Sequence, residues 1–579
     1  MIKKLAEHIG KYKTDSILSP VFVTLESLLE VLIPYLMALI IDNGVSGGDL
    51  PYITQMGIVL VVAALVSLLF GILSGRYAAR ASAGFAKNLR QALFYNVQSF
   101  SFSNIDKFSQ SSLITRLTTD VTNVQNAYQM IIRIMVRSPA MLIFSLVMAF
   151  RLSSELSLVF LIIIPILAAG LFFIMNGARP IFMRVFKRYD RMNNVVQENL
   201  RGIRVVKSYV REDHEIEKFQ DVSQDIYTDF SKVEKMLSLT SPLMMFAVYG
   251  GMLLLSWLGA NMIVSGTLKT GELMSLFTYA MQILMSLMLF SMVLVTVILA
   301  RASAERIVEV LDEQSDLKNP PHPLKAVADG SIRFENVDFS YTADKKHPCL
   351  RRAELNIKSG QVVGVIGGTG SGKSTLVQLI PRLYDVTSGK VEVGGKDVRE
   401  YDLEILRDNV SMVLQNNVLF AGTIKENLRW GNKDATDEQL VEACKLAQAD
   451  GFIREFENGY DTYIEQGGAN VSGGQKQRIC IARALLKKPK ILIMDDSTSA
   501  VDMKTDSLIR EGLKTSIPGT TKLIIAQRTA SVQDADQIVV MDDGKIDQVG
   551  THGELLATNR IYQEVYNSQT KGGSINEAQ

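Results

Sequence analysis

Cysteine is nearly absent from this chain. Cys349, Cys444 and Cys480 are the only three among 579 residues, and their spacing resembles no metal-ligand pattern. They read as plain thiols. An excess of charge is missing too: Lys and Arg total 61 against 60 for Asp and Glu, so the balance calls for no nucleic-acid partner. No internal repeat is visible. The first apolar stretch has no small-residue cleavage site and is too long for a signal-peptide core, so it is expected to be retained as a signal anchor. From about residue 330 onward no long apolar run occurs, which keeps the second half out of the membrane.

The first half is different. Six mostly apolar stretches, at 16–41, 52–75, 129–150, 156–175, 238–264 and 273–300, each come near the roughly 20 residues that a membrane-crossing helix needs. Arg76, Arg80, Lys87 and Arg90 follow the second stretch, and Arg184, Lys187, Arg188, Arg191, Arg201, Arg204 and Lys207 follow the fourth. The positive-inside rule therefore puts 76–128 and 176–237 in the cytoplasm, together with both termini. These two polar segments suit pairs of antiparallel helices reaching roughly 35 to 40 Å from the bilayer, with two solvated loops as the plainer alternative.

Pro320, Pro321 and Pro323 break the helical pattern and mark a boundary. Beyond them, short β-rich runs alternate with helical stretches, the pattern of a largely parallel sheet. One run, 361–366, leads directly into Gly367, Gly368, Thr369, Gly370, Ser371, Gly372, Lys373 and Ser374, followed by Thr375. This is a phosphate-binding loop in the context it requires: glycines let backbone N–H groups converge on phosphates, Lys373 brings a point charge, and Ser374 can ligate Mg²⁺. Asp495 closes the apolar run ILIM, at the end of a core strand where such a sheet binds its ligand. It is the expected partner of the magnesium.

With Val471, Ser472, Gly473, Gly474 and Gln475 (VSGGQ), Tyr341, Gln415 and Ser499–Asp502 (SAVD), the second half resembles the cassette of ATP-binding-cassette transporters. The first half is similar to the membrane domain of exporters in that family. The resemblance implies a half-transporter that binds ATP and Mg²⁺ and dimerises head to tail, one chain's phosphate loop facing the other's signature. In it Tyr341 would stack on adenine, and Gln415 would sense Mg²⁺ and the γ-phosphate. Asp502 would reach across the dimer, and Ser472 and Gly474 would hold the partner's γ-phosphate.

Two positions depart from the family pattern. Asp496 stands where the family has a catalytic glutamate, and Gln527 where it has a switch histidine. Asp is one methylene short, withdrawing the carboxylate by about 1.5 Å, and Gln carries no positive charge near neutral pH. A third departure is EQGG at 465–468, where such exporters usually carry a Gly-Glu pair. The expected protein is thus the degenerate-site subunit of a heterodimer resembling bacterial multidrug exporters, hydrolysing mainly at the site completed with a different half-transporter. An ATP-gated channel, a regulatory subunit, a weakly active homodimer, or an exporter of lipids or peptides are the alternatives.

The fold expected is an α-helical membrane domain (1–318) of six transmembrane helices with long cytoplasmic hairpins. A linker (319–330) joins it to an α/β P-loop ATPase domain (331–567), and a disordered tail (568–579) follows. Within the spans, Glu26 and Glu30 share one helix face, as do Arg133 and Arg137. They suit either interior ion pairs, with the arginines able to snorkel, or contacts to cargo. The methionines of the last two spans suit packing or a surface that repacks around a lipophilic compound, cationic ones included.

Overall fold

The computed structural model describes residues 1–341, 348–497 and 500–576. They form two compact units, Met1–Gln98 with Gln110–Glu313, and Ser99–Ser109 with Gln314–Gln579.

The first unit is helical: α1 (Lys13–Leu39) and α2 (Leu50–Gln98) come before the short α3 (Phe102–Lys107), and α4 (Val121–Leu152), α5 (Ser154–Ser208), α6 (Glu212–Leu237), α7 (Thr240–Val264) and α8 (Thr270–Asp312) come after it. Six helical stretches among the described residues are long and apolar enough to cross a membrane, as the hydropathy pattern predicts. The polar segments between them are helical too, because α2 and α5 run on unbroken past their apolar parts. At 1.5 Å per residue, the extension of α2 past residue 75 spans roughly 35 Å and that of α5 past 175 roughly 50 Å, the latter longer than expected.

Polar pins hold α1 in place. Ser19 and Ser74 exchange hydroxyl-to-carbonyl hydrogen bonds of 3.2 and 3.3 Å between α1 and α2. Pro34 has no N–H, which deprives the Glu30 carbonyl of its helical donor, and Gln282 Nε2 of α8 reaches that carbonyl at 3.5 Å. Three of the four intramembrane charges meet between α1 and α4. Arg137 donates to Glu26 Oε1 at 2.9 Å and to both oxygens of Glu30 at 2.7 and 2.8 Å. Interior ion pairing thus accounts for Glu26, Glu30 and Arg137, and the carboxylate face is already capped by a cation of the chain itself.

In the second unit, a six-stranded sheet is ordered β12-β11-β3-β10-β9-β6. Its strands are β3 (Val362–Gly367), β6 (Val410–Val413), β9 (Ile491–Asp495), β10 (Thr521–Ile525), β11 (Gln537–Asp542) and β12 (Lys545–Gly550). All pairings are parallel except that of β11 with β12. Every residue of β9 and β10 is buried, which is why their ILIM and LII portions read as apolar runs rather than as alternations. An antiparallel sheet of β1 (Ile332–Phe339), β2 (Leu350–Ile357), β4 (Ser388–Val393) and β5 (Lys396–Asp397) packs into a second core, and β7 (Gly422–Thr423) pairs with β8 (Tyr463–Ile464).

The unit boundaries differ from those expected. The chain changes unit after Glu313, and the proline-bearing segment is no free linker: Leu324 bridges Tyr401, and Asn319 Nδ2 donates to Asp402 at 2.8 Å. Proline forbids helix there but leaves extended backbone able to dock. The hairpin tip Ser99–Ser109 also belongs to the second unit, with Asn104 Nδ2 on the Gln314 carbonyl at 3.2 Å and Tyr384 Oη on Asp106 at 2.7 Å. The last helix runs Arg560–Asn576 and so enters the stretch from 568 that was expected to lack structure.

Removing one partner of a buried ion pair leaves the other uncompensated, at roughly 3–5 kcal/mol. Arg137→Met should therefore lower the thermal unfolding midpoint of the detergent-solubilised chain much more than Glu30→Gln, after which Arg137 still holds Glu26. Equal midpoints for both variants would show that the cluster is solvated.

Candidate active site

The carboxyl ends of β3, β6, β9 and β10 converge because these strands are parallel, and Ile525 is in register with both Asp495 and Val365. Chemistry-bearing residues follow each end: the phosphate loop after β3, Gln415 after β6, Asp495 and Asp496 at β9, and Gln527 after β10.

The phosphate loop folds back from β3 before a short helix, α9 (Lys373–Gln378). Gly367 takes a φ of +156°, and a Cβ there would lie 2.2 Å from the Met541 carbonyl and 2.8 Å from Ser371 Oγ. Only glycine fits. Lys373 Nζ donates to the Gly367 and Gly368 carbonyls at 2.9 and 2.7 Å, so the loop's own dipoles hold the ammonium over the loop. Burial pushes that ammonium below the usual lysine range, against the opposing pull of Asp495 and Asp496. Ser371 Oγ is buried without a hydrogen-bond partner, an orphaned donor of the kind a phosphate oxygen would satisfy.

Ser374 Oγ donates to Asp495 Oδ1 at 3.1 Å. Burial raises the carboxyls of both Asp495 and Asp496 above the usual range, and the charge of Asp496 raises Asp495 further. A buried and a half-buried carboxyl side by side, next to a serine hydroxyl, suit a divalent cation, which would restore their ionised forms. Ser374 and Asp495 would hold Mg²⁺, which on binding would supply charge neutralisation for the phosphates. Gln415 hydrogen-bonds the carboxyl of Asp496, which brings it to the same cluster.

Asp496 sits in the left-handed region with φ +48°, its N–H bonded to the Ile525 carbonyl at 3.0 Å. Aspartate tolerates that conformation. Gln527 Nε2 donates to Asp496 Oδ2 at 2.8 Å. The two unusual positions therefore engage one another directly. Gln569, from the stretch expected to lack structure, holds this loop from behind: its Nε2 donates to the Gln527 carbonyl at 2.8 Å, and its Oε1 accepts from the Thr529 N–H at 2.9 Å. Nothing in the polar tail sequence signals that role.

Tyr341 is 45% exposed, and its hydroxyl lies 3.0 Å from Thr375 Oγ1 and 3.0 Å from Gln378 Oε1, so the ring expected to meet adenine leans on α9. The signature lies apart. Ser472 caps α10 (Gly473–Leu486) in a reciprocal box with Gln475, accepting from its N–H at 3.2 Å and donating its own N–H to Oε1 at 2.9 Å. A Cβ on Gly474 would come within 2.8 Å of the Ala500 carbonyl. Among the described residues no member of VSGGQ bonds to the phosphate loop. Asp502 caps α11 (Met503–Ser516), accepting from the Thr505 N–H at 2.9 Å, which holds its carboxyl below the usual range. Ser499 lies outside the described residues. In the EQGG departure, Gly467 offers its carbonyl to Lys476 Nζ at 2.6 Å.

The profile described as ABC transporter transmembrane region matches residues 16–287, and that described as ABC transporter matches 350–499. The chain is 37% identical over 568 residues to the uncharacterized ABC transporter ATP-binding protein YfiB of Bacillus subtilis, covering 98% of each. It is 34% identical over 581 residues, 99% of each, to the uncharacterized ABC transporter ATP-binding protein Rv1273c of Mycobacterium tuberculosis. To the ATP-dependent lipid A-core flippase of Desulfotalea psychrophila it is 30% identical over 582 residues, 98% of this chain and 99% of the flippase. The chain belongs to the ATP-binding-cassette transporter family, as an exporter half-transporter with one multi-pass membrane domain and one ATPase domain. A half-transporter of this kind works as a dimer in a membrane and uses ATP.

The Gln569 contacts are checked by hydrogen exchange. Gln569→Ala removes the acceptor of the Thr529 N–H, worth about 1 kcal/mol, so amides at 527–531 should exchange roughly fivefold faster while those of β9 do not change. Unaltered exchange at 527–531 would assign the hold to other contacts.

Proposed function

We propose that this chain is the degenerate-site subunit of a heterodimeric ATP-driven exporter, which supplies an intact signature to a different half-transporter's catalytic site. The observation that carries this is the 2.8 Å bond from Gln527 Nε2 to Asp496 Oδ2. A general base must offer a free lone pair to the attacking water at hydrogen-bond distance. Here one carboxylate oxygen is engaged by a neutral amide, and Gln415 takes part in the same cluster. The carboxylate is also about 1.5 Å short of a glutamate's reach. ATP and Mg²⁺ would still bind, because Lys373, Ser374, Ser371 and Asp495 retain the groups that hold them.

The signature half carries no such defect. Ser472 and Gln475 close a regular cap, and Gly474 keeps the side-chain-free surface that a partner's γ-phosphate needs. Alternating access would follow as ATP draws the cassettes together, with both termini in the cytoplasm of a cell membrane. The proposed cargo is a lipophilic small molecule. The flippase among the relatives favours a lipid as the second reading.

An asymmetry within the chain tests the assignment. In the complex with its partner, Ser472→Arg should abolish most ATPase and transport, because it puts bulk and misplaced charge where the transferred phosphoryl is held. Asp496→Asn should cost far less. Equal damage from the two would make this chain's own site catalytic. Purified alone, the chain should bind ATP with Mg²⁺ yet turn it over at least roughly tenfold more slowly than the mixed complex. Comparable rates would overturn the need for a partner.

A further inference from the structure

The charges inside the membrane unit are unevenly paired. Arg137 takes both glutamates, yet Glu26 Oε2 is buried with no hydrogen-bond partner, and the Glu26 side chain is only 9% exposed. Arg133, one turn from Arg137 on α4, makes no hydrogen bond or ion pair among the described residues. Both unsatisfied groups face α2 at glycines. A Cβ on Gly71 would lie 3.0 Å from Glu26 Oε1 and 3.5 Å from Oε2, and one on Gly75 would lie 3.5 Å from Arg133 Nη1. Positions i and i+4 share a helix face, so a buried acceptor without a donor and a cation without an acceptor stand about one helical turn, roughly 6 Å, apart.

A guanidinium or carboxylate oxygen that lacks a hydrogen-bond partner in a span is costly and marks a site that something else completes. An anion would satisfy Arg133 and leave Glu26 Oε2 bare; a cation would do the reverse. A single ligand satisfies both if it carries an ammonium and a phosphate or carboxylate on a short spacer. Aromatic surface for an apolar chain lies beside it: Phe22, one turn before Glu26, stacks on Tyr77 at 5.7 Å and leans on Phe70 at 5.9 Å. We propose that Glu26 and Arg133 form the headgroup site for a zwitterionic amphiphile, with the ammonium on Glu26 and the anion on Arg133. This names the cargo class of the exporter and rests on that reading. It differs from a purely cationic cargo, which would answer Glu26 Oε2 and leave Arg133 without an acceptor.

The test is binding to the purified full chain in a non-ionic detergent, followed by thermophoresis. The ligands are lysophosphatidylethanolamine, the anion-only lysophosphatidylglycerol, the cation-only dodecyltrimethylammonium, and free phosphoethanolamine. Lysophosphatidylethanolamine should bind tightest, and Glu26→Gln and Arg133→Gln should each weaken it at least about tenfold. Lysophosphatidylglycerol should respond to Arg133→Gln alone and dodecyltrimethylammonium to Glu26→Gln alone. If Arg133→Gln does not fold, Arg133→Lys keeps the charge and loses the planar fork; it should weaken both phosphate-bearing lipids and leave dodecyltrimethylammonium unchanged. Affinities indifferent to both residues would overturn the site. Lysophosphatidylglycerol binding as tightly as lysophosphatidylethanolamine, with Glu26→Gln silent, would make it an anion site instead. Equally tight binding of free phosphoethanolamine would point to a water-soluble zwitterion and overturn the amphiphile. Binding requires neither hydrolysis nor a partner chain, so failure here leaves the heterodimer reading standing, and the converse also holds.

Discussion

The parallel register of β10 between β3 and β9 is the constraint on which the ATP site depends. Because Ile525 is level with Asp495 on one side and Val365 on the other, the residues after each strand emerge at one edge. The phosphate loop, Asp495, Asp496 and Gln527 are then neighbours without any long-range design in the loops themselves. A slip in this register would separate Ser374 from Asp495, now 3.1 Å apart, and Gln527 from Asp496. The complete burial of β9 and β10 guards against that slip.

The membrane unit solves a different problem with similar means. In hydrocarbon each backbone carbonyl left without its helical donor must be answered internally, and Gln282 does this where Pro34 interrupts α1. Charges there are tolerated because Arg137 engages two carboxylates at once. The same economy leaves Glu26 Oε2 and Arg133 without hydrogen-bond partners among the described residues.

Much of this was legible in the sequence. GGTGSGKS is contiguous and its chemistry is local, so its position after a strand could be read directly. The six spans could be read for the same reason, since length and apolarity are properties of a single segment. Partner choice could not. The i, i+4 spacing of Glu26 with Glu30 and of Arg133 with Arg137 gives a face for each pair, but only packing decides that Arg137 holds both glutamates. The hold of Gln569 on the loop could not be read, because composition reports what a segment lacks in apolar surface, whereas Gln569 acts through hydrogen bonds to the backbone of residues 527 and 529. The proline-bearing segment was read as a linker, although its extended backbone docks through Leu324 and Asn319.

The 2.8 Å between a would-be Cβ on Gly474 and the Ala500 carbonyl bears on descent. Aspartate and glutamate, like glutamine and histidine, are interchangeable by single base changes, although a glutamate at 496 would have to hold the left-handed φ of +48° that aspartate tolerates better. Each exchange is thus a small, reversible step in sequence. At Gly474 any side chain must displace neighbouring backbone. Selection on a shared machine would accordingly let one half of a cassette drift while holding the other nearly fixed, and the two halves of this single chain would record different histories.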